Sequence, residues 1–156
     1  MSAPEPVGAG GSGAPGALRF HHVGYAVASI ADYRRDFFDA LFQPRHVSEP
    51  VADPIQRVRV AFAAMHGGTV IELVEPLGPG SPVDAVVGSA RGGLYHLCYE
   101  VADLDAAIAR FRRARCLPLA RPAPAVAFGG RRIVFLLTPQ RDLVELLEAP
   151  PTASDR

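Results

Sequence analysis

The feature that most constrains the fold of this chain is an internal repeat. When His22 is placed on His96, the stretch HVGYAVASIADYRRDF (22–37) aligns with HLCYEVADLDAAIARF (96–111) without a gap. A second pair of blocks, VAFAAMHGGTVIELVE (60–75) and IVFLLTPQRDLVELLE (133–148), places Glu72 on Glu145. The offsets are 74 residues in the first pair and 73 in the second. Two blocks with nearly the same offset indicate a duplicated module.

Both halves predict the same order of elements. Each begins with a strand that leads into a helix, and two further strands close the half. A fourth short strand per half is predicted around 45–48 and 117–121. The other predicted strands are 20–27, 57–64 and 69–74 in the first half, and 94–101, 131–137 and 143–147 in the second.

The two helices are predicted from their caps and apolar stripes. Ser29 and Asp32 have the spacing of a capping box at the start of the first helix, and Asp103 is the predicted cap of the second. Apolar residues three or four positions apart lie on one face of a helix, and this face is expected to pack on the sheet. These stripes are Ile30, Tyr33, Phe37 and Leu41 in the first helix, and Leu104, Ile108 and Phe111 in the second.

The length of 156 residues is suited to one domain. Residues 1–17 are rich in Ala, Gly and Pro and lack the basic and apolar regions of a signal peptide, so we expect a disordered tail there. Residues 150–156 are expected to form a second tail. Between them lies a single predicted domain, 18–149, with modules at 18–77 and 92–149 and a connector at 78–91.

Charge and cysteine content narrow the classes of function. Sixteen basic residues balance sixteen acidic ones, so no net positive field attracts nucleic acid or anionic lipid. No apolar run approaches the length of a membrane span. Cys98 and Cys116 form no CxxC pair, which indicates a reducing compartment, and we expect a cytoplasmic protein.

Two carboxylates stand where apolar residues are expected. Glu72 lies at the centre of VIELV (70–74) and Glu145 at the centre of LVELL (143–147), and both strands are otherwise apolar on both faces. Such strands are covered on both sides. A lone carboxylate there must be paired, protonated or bound to a metal, because burying it without a partner is very costly.

Two histidines occupy a similar position. With a period of two, His22 shares a strand face with Gly24 and Ala26, while the bulky residues of the opposite face are expected to pack on the helix. The face of His96 is expected to point toward the same cavity and also carries Cys98 and Glu100. The same alternation places His21 on the outward face. His46 and His66 lie in loop-like sequence without repeat partners, so we do not count them among the candidate site residues.

The two histidines and two carboxylates recur at equivalent repeat positions and predict a metal centre of His22, Glu72, His96 and Glu145. Imidazole with carboxylate suits Co, Mn, Ni, Zn or Fe(II). Four protein ligands in an octahedron leave two positions for water or substrate oxygens. The alternative to metal binding is that each histidine is a hydrogen-bonded core residue and each glutamate forms a salt bridge with a nearby arginine. Recurrence of all four residues in register favours the metal.

The motifs HHVGYAV (21–27), VIELVEP (70–76), GLYHLCYEV (93–101) and LVELLE (143–148) resemble the vicinal oxygen chelate superfamily. This group includes glyoxalase I, methylmalonyl-CoA epimerase, extradiol dioxygenases and fosfomycin- and bleomycin-resistance proteins. The resemblance covers residues 18 to about 149. It implies an α+β fold in which two tandem βαβββ modules form a curved mixed sheet around a metal, with the same four ligands.

Within this superfamily, QRVRVAF (56–62), IELVEPLGPGSPV (71–83) and FGGRRIVFL (128–136) are most similar to methylmalonyl-CoA epimerase. The resemblance implies a metal-dependent isomerase. It would epimerise a 2-acyl-CoA thioester such as methylmalonyl-CoA by α-proton abstraction, through a metal-stabilised enolate. The chain departs from the epimerase pattern at Val60, where some epimerases carry a glutamate proposed as a base, and in the turn at 138–142.

The proton-transfer groups expected from this resemblance are carboxylates. Glu145 is the leading candidate for the base, with Glu72 as its counterpart in the repeat and Glu100 as a further candidate. Arg131 and Arg132 are candidates to bind CoA phosphates. The family is commonly dimeric and paired modules leave strand edges exposed, so we expect a homodimer.

Three alternatives remain open at the level of sequence. One is a tailoring isomerase or lyase of secondary metabolism in the same superfamily, which would suit the altered final turn and the apolar segment 125–128. The second is a noncatalytic protein that binds a small molecule such as an antibiotic. The third is a ring-cleaving dioxygenase with a His-His-Glu triad, which the extra carboxylate Glu72 disfavours.

Overall fold

A computed structural model of the chain describes residues 16–90 and 92–151. The predicted tails lie outside these ranges, apart from the positions nearest the domain (16–17 and 150–151). The backbone carbonyl of Gly16 accepts a hydrogen bond of 2.6 Å from the guanidinium of Arg110.

The described residues form ten strands and four α-helices. The long predicted strands are confirmed, each beginning and ending within two residues of its expected limits. None of the described helices is both long and apolar enough to cross a membrane. The strands are β1 (Arg19–Val27), β2 (His46–Val47), β3 (Val51–Asp53), β4 (Val58–Ala64), β5 (Val70–Pro76), β6 (Gly92–Val101), β7 (Leu117–Pro118), β8 (Ala123–Pro124), β9 (Arg132–Leu137) and β10 (Leu143–Glu148). The helices are α1 (Ile30–Tyr33), α2 (Asp39–Phe42), α3 (Asp84–Ala90) and α4 (Leu104–Arg113), with a π-helical turn at Arg34–Phe38 and a 3₁₀ turn at Val126–Phe128.

All ten strands belong to one mixed sheet with the order β2-β4-β5-β1-β6-β10-β9-β7, while β3 pairs with β4 and β8 with β9. The first strands of the two halves, β1 and β6, pair antiparallel at the centre. Each also pairs in parallel with the last strand of its own half, β5 or β10. The order is therefore symmetric about the β1–β6 pair, and the predicted α+β fold of two repeated modules is confirmed.

The helix of the second half follows its prediction. Asp103 caps α4, because its Oδ1 accepts a hydrogen bond of 2.9 Å from the backbone N–H of Ala106. Leu104 and Ile108 are buried, and Phe111 packs against the same apolar cluster. An α-helical stripe on α4 therefore covers one half of the sheet.

The helical segment of the first half departs from its prediction. Ser29 caps α1 as expected, since its Oγ accepts a hydrogen bond of 3.2 Å from the backbone N–H of Asp32. The predicted stripe is wrong beyond Tyr33, because Phe37 is 41% exposed whereas Phe38 is buried. Leu41 is also exposed. The π-helical turn holds more residues than an α-helical turn, so the face that meets the core shifts by one position.

Candidate metal centre and its cavity

The register of the four central strands brings the predicted ligands to one level of the sheet. On β5, Glu72 lies opposite Gly24 of β1, which in turn lies opposite His96 of β6. On β10, Glu145 lies opposite a residue of β6, Cys98, which is paired with His22 of β1. The antiparallel central pair thus supplies both histidines, and the outer parallel strands supply both glutamates.

All four side chains are buried and meet at a single point. The Nε2 atoms of His22 and His96 lie 3.1 Å apart. Oε2 of Glu72 lies 3.3 Å from each of these nitrogens. Oε2 of Glu145 lies 3.4 Å from His22 Nε2 and 3.2 Å from His96 Nε2. The repeat therefore produces a compact set of two nitrogen and two oxygen atoms.

A glycine makes room for one of the imidazoles. A Cβ atom at Gly24 would overlap the imidazole ring of His96. The equivalent position in the other half is Cys98, a small buried residue opposite His22. Small side chains on the paired strands thus leave space for both histidine rings.

The cluster is electrostatically coupled. Burial lowers the pKa of His96, but the close approach of the Glu145 and Glu72 carboxylates outweighs this effect and raises the pKa to about 9. The pKa of His22 is also raised, because the same carboxylates outweigh the effect of its burial. Burial alone would raise the pKa of each glutamate, yet the imidazoles lower the pKa of both carboxyl groups. Cationic charge at this point is therefore strongly favoured.

The donor set fits a divalent metal ion. Ligand atoms at about 2.0–2.2 Å from a cation lie roughly 3–3.5 Å from their neighbours, which agrees with the separations among the four side chains. The Oε2 atom of Glu145 is buried and has no hydrogen-bond donor among the residues that the structure describes. Burying such an oxygen without a partner is costly, and a cation would remove that cost. Two imidazoles with two carboxylates suit first-row transition metals and zinc.

The expectation that His21 faces outward is wrong. Its ring is buried, and its Nδ1 lies 2.8 Å from Nδ1 of His22. The pairing of β1 with β6 shifts register between Phe20 and His22, so two consecutive histidines both enter the interior. Burial, and next the nearby His22 charge, lower the pKa of His21 to about 4, so its ring is neutral at pH 7.

The structure does not bring Glu100 to the cavity. Its carboxylate accepts hydrogen bonds of 3.1 Å from Arg19 and 2.8 Å from Arg131. Arg131 also packs over the ring of Phe128 and donates to the backbone carbonyl of Glu148. Glu100 therefore bridges two guanidinium groups, that of Arg19 on its paired strand and that of Arg131 just before β9.

Arg132 likewise lies outside the cavity wall. Its guanidinium donates hydrogen bonds of 2.6–3.2 Å to the carboxylates of Glu148 and Asp105. These bonds raise the pKa of Arg132 and lower that of Glu148. Both arginines that the sequence suggested for phosphate binding thus have carboxylate partners within the chain.

A cavity of about 300 Å³ reaches the cluster, and Glu72, His96 and Glu145 form part of its wall. Most of the remaining wall is apolar. Ligand pockets of this size typically combine an apolar lining with a few polar groups. The apolar side chains include Val58, Val60, Val74, Phe128, Ile133 and Phe135.

Three further titratable residues line this cavity and were missed by the sequence reasoning. Asp53 is buried and accepts hydrogen bonds of 2.8–3.0 Å from the backbone N–H groups of Ile55, Gln56 and Val126. Burial, with the charges of Glu145 and Glu72, raises the pKa of Tyr95 to about 12. Arg121 is exposed and forms no ion pair with any described residue. Nothing in the repeat or the strand pattern marks these positions.

Comparisons with known proteins identify the family of this chain. A family model described as Glyoxalase/Bleomycin resistance protein/Dioxygenase superfamily matches residues 21–135. The ethylmalonyl-CoA/methylmalonyl-CoA epimerase of Cereibacter sphaeroides is 34% identical over 123 residues, which cover 76% of this chain and 87% of the relative.

Solved structures of similar proteins show the same architecture. The methylmalonyl-CoA epimerase of Mycobacterium tuberculosis superimposes with a TM-score of 0.70 at 26% identity, covering 89% of this chain and 91% of that one. A Streptomyces coelicolor methylmalonyl-CoA epimerase in complex with 2-nitronate-propionyl-CoA gives a TM-score of 0.70 at 26% identity, covering 86% and 100%. The chain therefore belongs to the glyoxalase/bleomycin resistance protein/dioxygenase superfamily, and within it is similar to the methylmalonyl-CoA epimerases.

Proposed function

We propose that the protein is a metal-dependent epimerase of a 2-acyl-CoA thioester such as methylmalonyl-CoA. The observation that carries this proposal is the buried cluster of His22, Glu72, His96 and Glu145 at the wall of an apolar cavity. The similarity to named epimerases supports the substrate class, and one solved relative is described as bound to a CoA thioester analogue.

The chain's own residues would hold the cation through His22 Nε2, His96 Nε2 and one carboxylate oxygen each from Glu72 and Glu145. When bound, a divalent cation at this point supplies Lewis-acid stabilisation of negative charge on a substrate oxygen. Cobalt, manganese, nickel, zinc and iron(II) all suit this donor set. The apolar wall excludes water and strengthens electrostatic interactions within the cavity.

Epimerisation requires removal of the α-proton on one face of the carbon and return of a proton on the other. We assign the removal to Glu145, whose carboxylate forms part of the cavity wall beside the cluster. Glu72 lies on the opposite outer strand of the central four and is the counterpart that returns a proton. Glu100 is left out of this assignment, because two arginines occupy its carboxylate.

Arg121 is the arginine best placed to meet an anionic part of the substrate. It lines the cavity, whereas Arg131 and Arg132 form ion pairs outside the cavity wall. A guanidinium with no carboxylate partner among the described residues is free to bind a phosphate. We therefore propose that Arg121, and not Arg131 or Arg132, binds a phosphate of the CoA moiety.

The proposal is tested by deuterium wash-in to methylmalonyl-CoA in D₂O. Protein stripped with a chelator is compared with the same protein reloaded with Co²⁺, and incorporation at the α-carbon is followed by mass spectrometry. We expect exchange only after reloading. Reloaded protein that binds Co²⁺ but supports no exchange would refute the epimerase assignment.

The assignment of Glu145 is tested by Glu145→Gln, which keeps an oxygen at the same distance from the backbone but cannot hold the α-proton. We expect loss of exchange of about 100-fold or more, the usual scale for removing a general base. Glu148→Gln on the same strand, which disturbs only the contact with Arg132, serves as the control. Full exchange by Glu145→Gln would show that another group removes the proton.

One observation favours a second candidate, a noncatalytic protein that binds a small molecule. Apart from the cluster, the only carboxylate of the described residues that lines the cavity is Asp53, and backbone N–H groups already occupy its oxygens. The wall thus offers no separate acid–base pair. If reloaded protein bound the thioester tightly but catalysed no deuterium exchange at its α-carbon, this candidate would be supported. The same result would also fit a tailoring isomerase or lyase that acts on another substrate.

A further inference from the structure

We propose that His21 is a positioning residue for the metal ligand His22. In this assignment, Nδ1 of His21 accepts the Nδ1 proton of His22, which holds His22 in the tautomer whose Nε2 can bind a cation. The inference rests on the metal centre of the proposed function. It adds a residue outside the four ligands.

Together with a cation on Nε2 of His22, the distances leave one arrangement of protons. The Nδ1 atoms of His21 and His22 are 2.8 Å apart, so a single proton lies between them. Nε2 of His22 faces the cluster, 3.1 Å from Nε2 of His96. If Nε2 donates its lone pair to a cation, the proton of the neutral ring must be on Nδ1. His21 then accepts at Nδ1 and carries its own proton on Nε2.

The orientation of both rings is supported by packing. His21 and His22 are each no more than 1% exposed. Phe128 stacks on His22 with ring centroids 5.8 Å apart, and meets His21 edge to face at 5.6 Å. The register shift after Phe20 places the His21 ring beside its neighbour. A hydrogen bond in such a buried and packed setting has little freedom to rearrange.

The two halves of the repeat differ at this point. Nδ1 of His96 is buried and has no hydrogen-bond partner among the described residues. The residue before His96 is Tyr95, which packs against the imidazole with ring centroids 5.1 Å apart. Support of a ligand through its second nitrogen is therefore a property of the first half. Partners of this kind commonly change metal affinity by about 10- to 100-fold.

The first test measures the Kd for Co²⁺ by competition with a chelator. His21→Leu removes the acceptor and is expected to weaken Co²⁺ binding by about 10- to 100-fold. His21→Asn is expected to retain most of the affinity, because its Oδ1 lies the same number of bonds from Cβ as Nδ1 of histidine. His66→Leu, at an exposed histidine in a turn, is the matched control. Equal affinities of the wild type and both His21 variants would overturn the inference.

The second test needs no substitution. In the Zn²⁺-loaded protein labelled with ¹⁵N-histidine, long-range ¹H–¹⁵N spectra report which nitrogen of each ring carries its proton. We expect His21 to carry it on Nε2 and His22 on Nδ1. A proton on Nδ1 of His21 would overturn the inference, even if His21→Leu failed to fold.

The tests separate this inference from the proposed function. A wild-type chain that binds no Co²⁺ would overturn the metal centre and the role of His21 together. If the wild type binds Co²⁺ and His21→Leu binds it equally tightly, only the role of His21 is overturned. Rescue by His21→Asn with loss in His21→Leu would support both.

Discussion

The absence of a side chain at Gly24 is what allows His96 to reach the cluster. The two residues are paired across the central strands, and the imidazole occupies the space in which a Cβ would lie. Because the nearest atoms belong to the packed imidazole of His96, a methyl group at Gly24 can be accommodated only by moving that ring.

We therefore expect Gly24→Ala to displace His96 and weaken Co²⁺ binding on the order of tenfold or more. The change is read by competition with a chelator. Gly88→Ala is the matched control, since a Cβ built at this position in α3 would meet no heavy atom within 4 Å beyond its chain neighbours and the helix's own backbone. Unchanged Co²⁺ affinity in Gly24→Ala would mean that the imidazole is not held where the structure places it.

A substitution at Arg121 is expected to affect binding of the CoA moiety, measured by KM, without affecting the catalytic step, measured by kcat. Arg121→Gln is expected to raise KM for methylmalonyl-CoA by about two- to fivefold with little change in kcat, as for loss of one exposed ion pair. The N-acetylcysteamine thioester, which lacks phosphates, should show no such increase. Arg112→Gln, at an exposed arginine on α4, is the control. An equal increase in KM for both thioesters would exclude a phosphate contact.

The π-helical turn distinguishes the helical segment of the first half from α4 in the second. It directs Phe38 into the cluster formed with Val27 and Ile30. Phe37 remains partly exposed beside Tyr33 and Phe42. Because the two phenylalanines are adjacent, the helix periodicity decides which of them stabilises the fold.

Phe38→Ala is expected to lower the free energy of unfolding by about 3–5 kcal/mol, the usual cost of removing a buried phenylalanine. Phe37→Ala should lower it by about 1 kcal/mol or less, because much of that ring is in contact with solvent. Urea denaturation of the two variants measures the difference. Equal losses, or a larger loss in Phe37→Ala, would indicate an α-helical stripe without the π turn.

For the whole molecule, the proposed metal centre would tie the two modules together, since each contributes one histidine and one glutamate. A cation that binds only the folded chain raises the free energy of unfolding. At free Co²⁺ 100-fold above its Kd, the increase is about 2.7 kcal/mol. Thermal or urea unfolding with Co²⁺ and with chelator measures it. His46→Ala should retain the increase and His96→Ala should lose it, whereas no difference between the two variants would contradict a shared site.

The expectation of a homodimer also belongs to this scale and stays a prediction. The sheet ends in short strands at both edges, and the first helical segment exposes Phe37, Leu41 and Phe42. Sedimentation equilibrium of the full chain measures its mass directly. A mass near twice 16.6 kDa is expected, and a single-chain mass across the micromolar range would refute the dimer.

The sequence by itself determined the duplicated fold and the four candidate ligands. Both follow from patterns along the chain, namely two blocks at nearly one offset and a lone glutamate in each of two apolar strands. Alternation of side chains along a strand then sufficed to place His22 and His96 toward a common interior.

Only the tertiary structure decided the interior position of His21, the burial of Phe38, the pairing of Glu100 and the placement of Arg121. A register shift and a π-helical turn each move side chains by one position, which a strict period of 2 or 3.6 residues does not anticipate. Glu100 is neutralised by Arg19 and Arg131, which are 81 and 31 residues away in the chain. Such contacts depend on how strands that are distant in sequence pack together, so a local sequence pattern does not predict them.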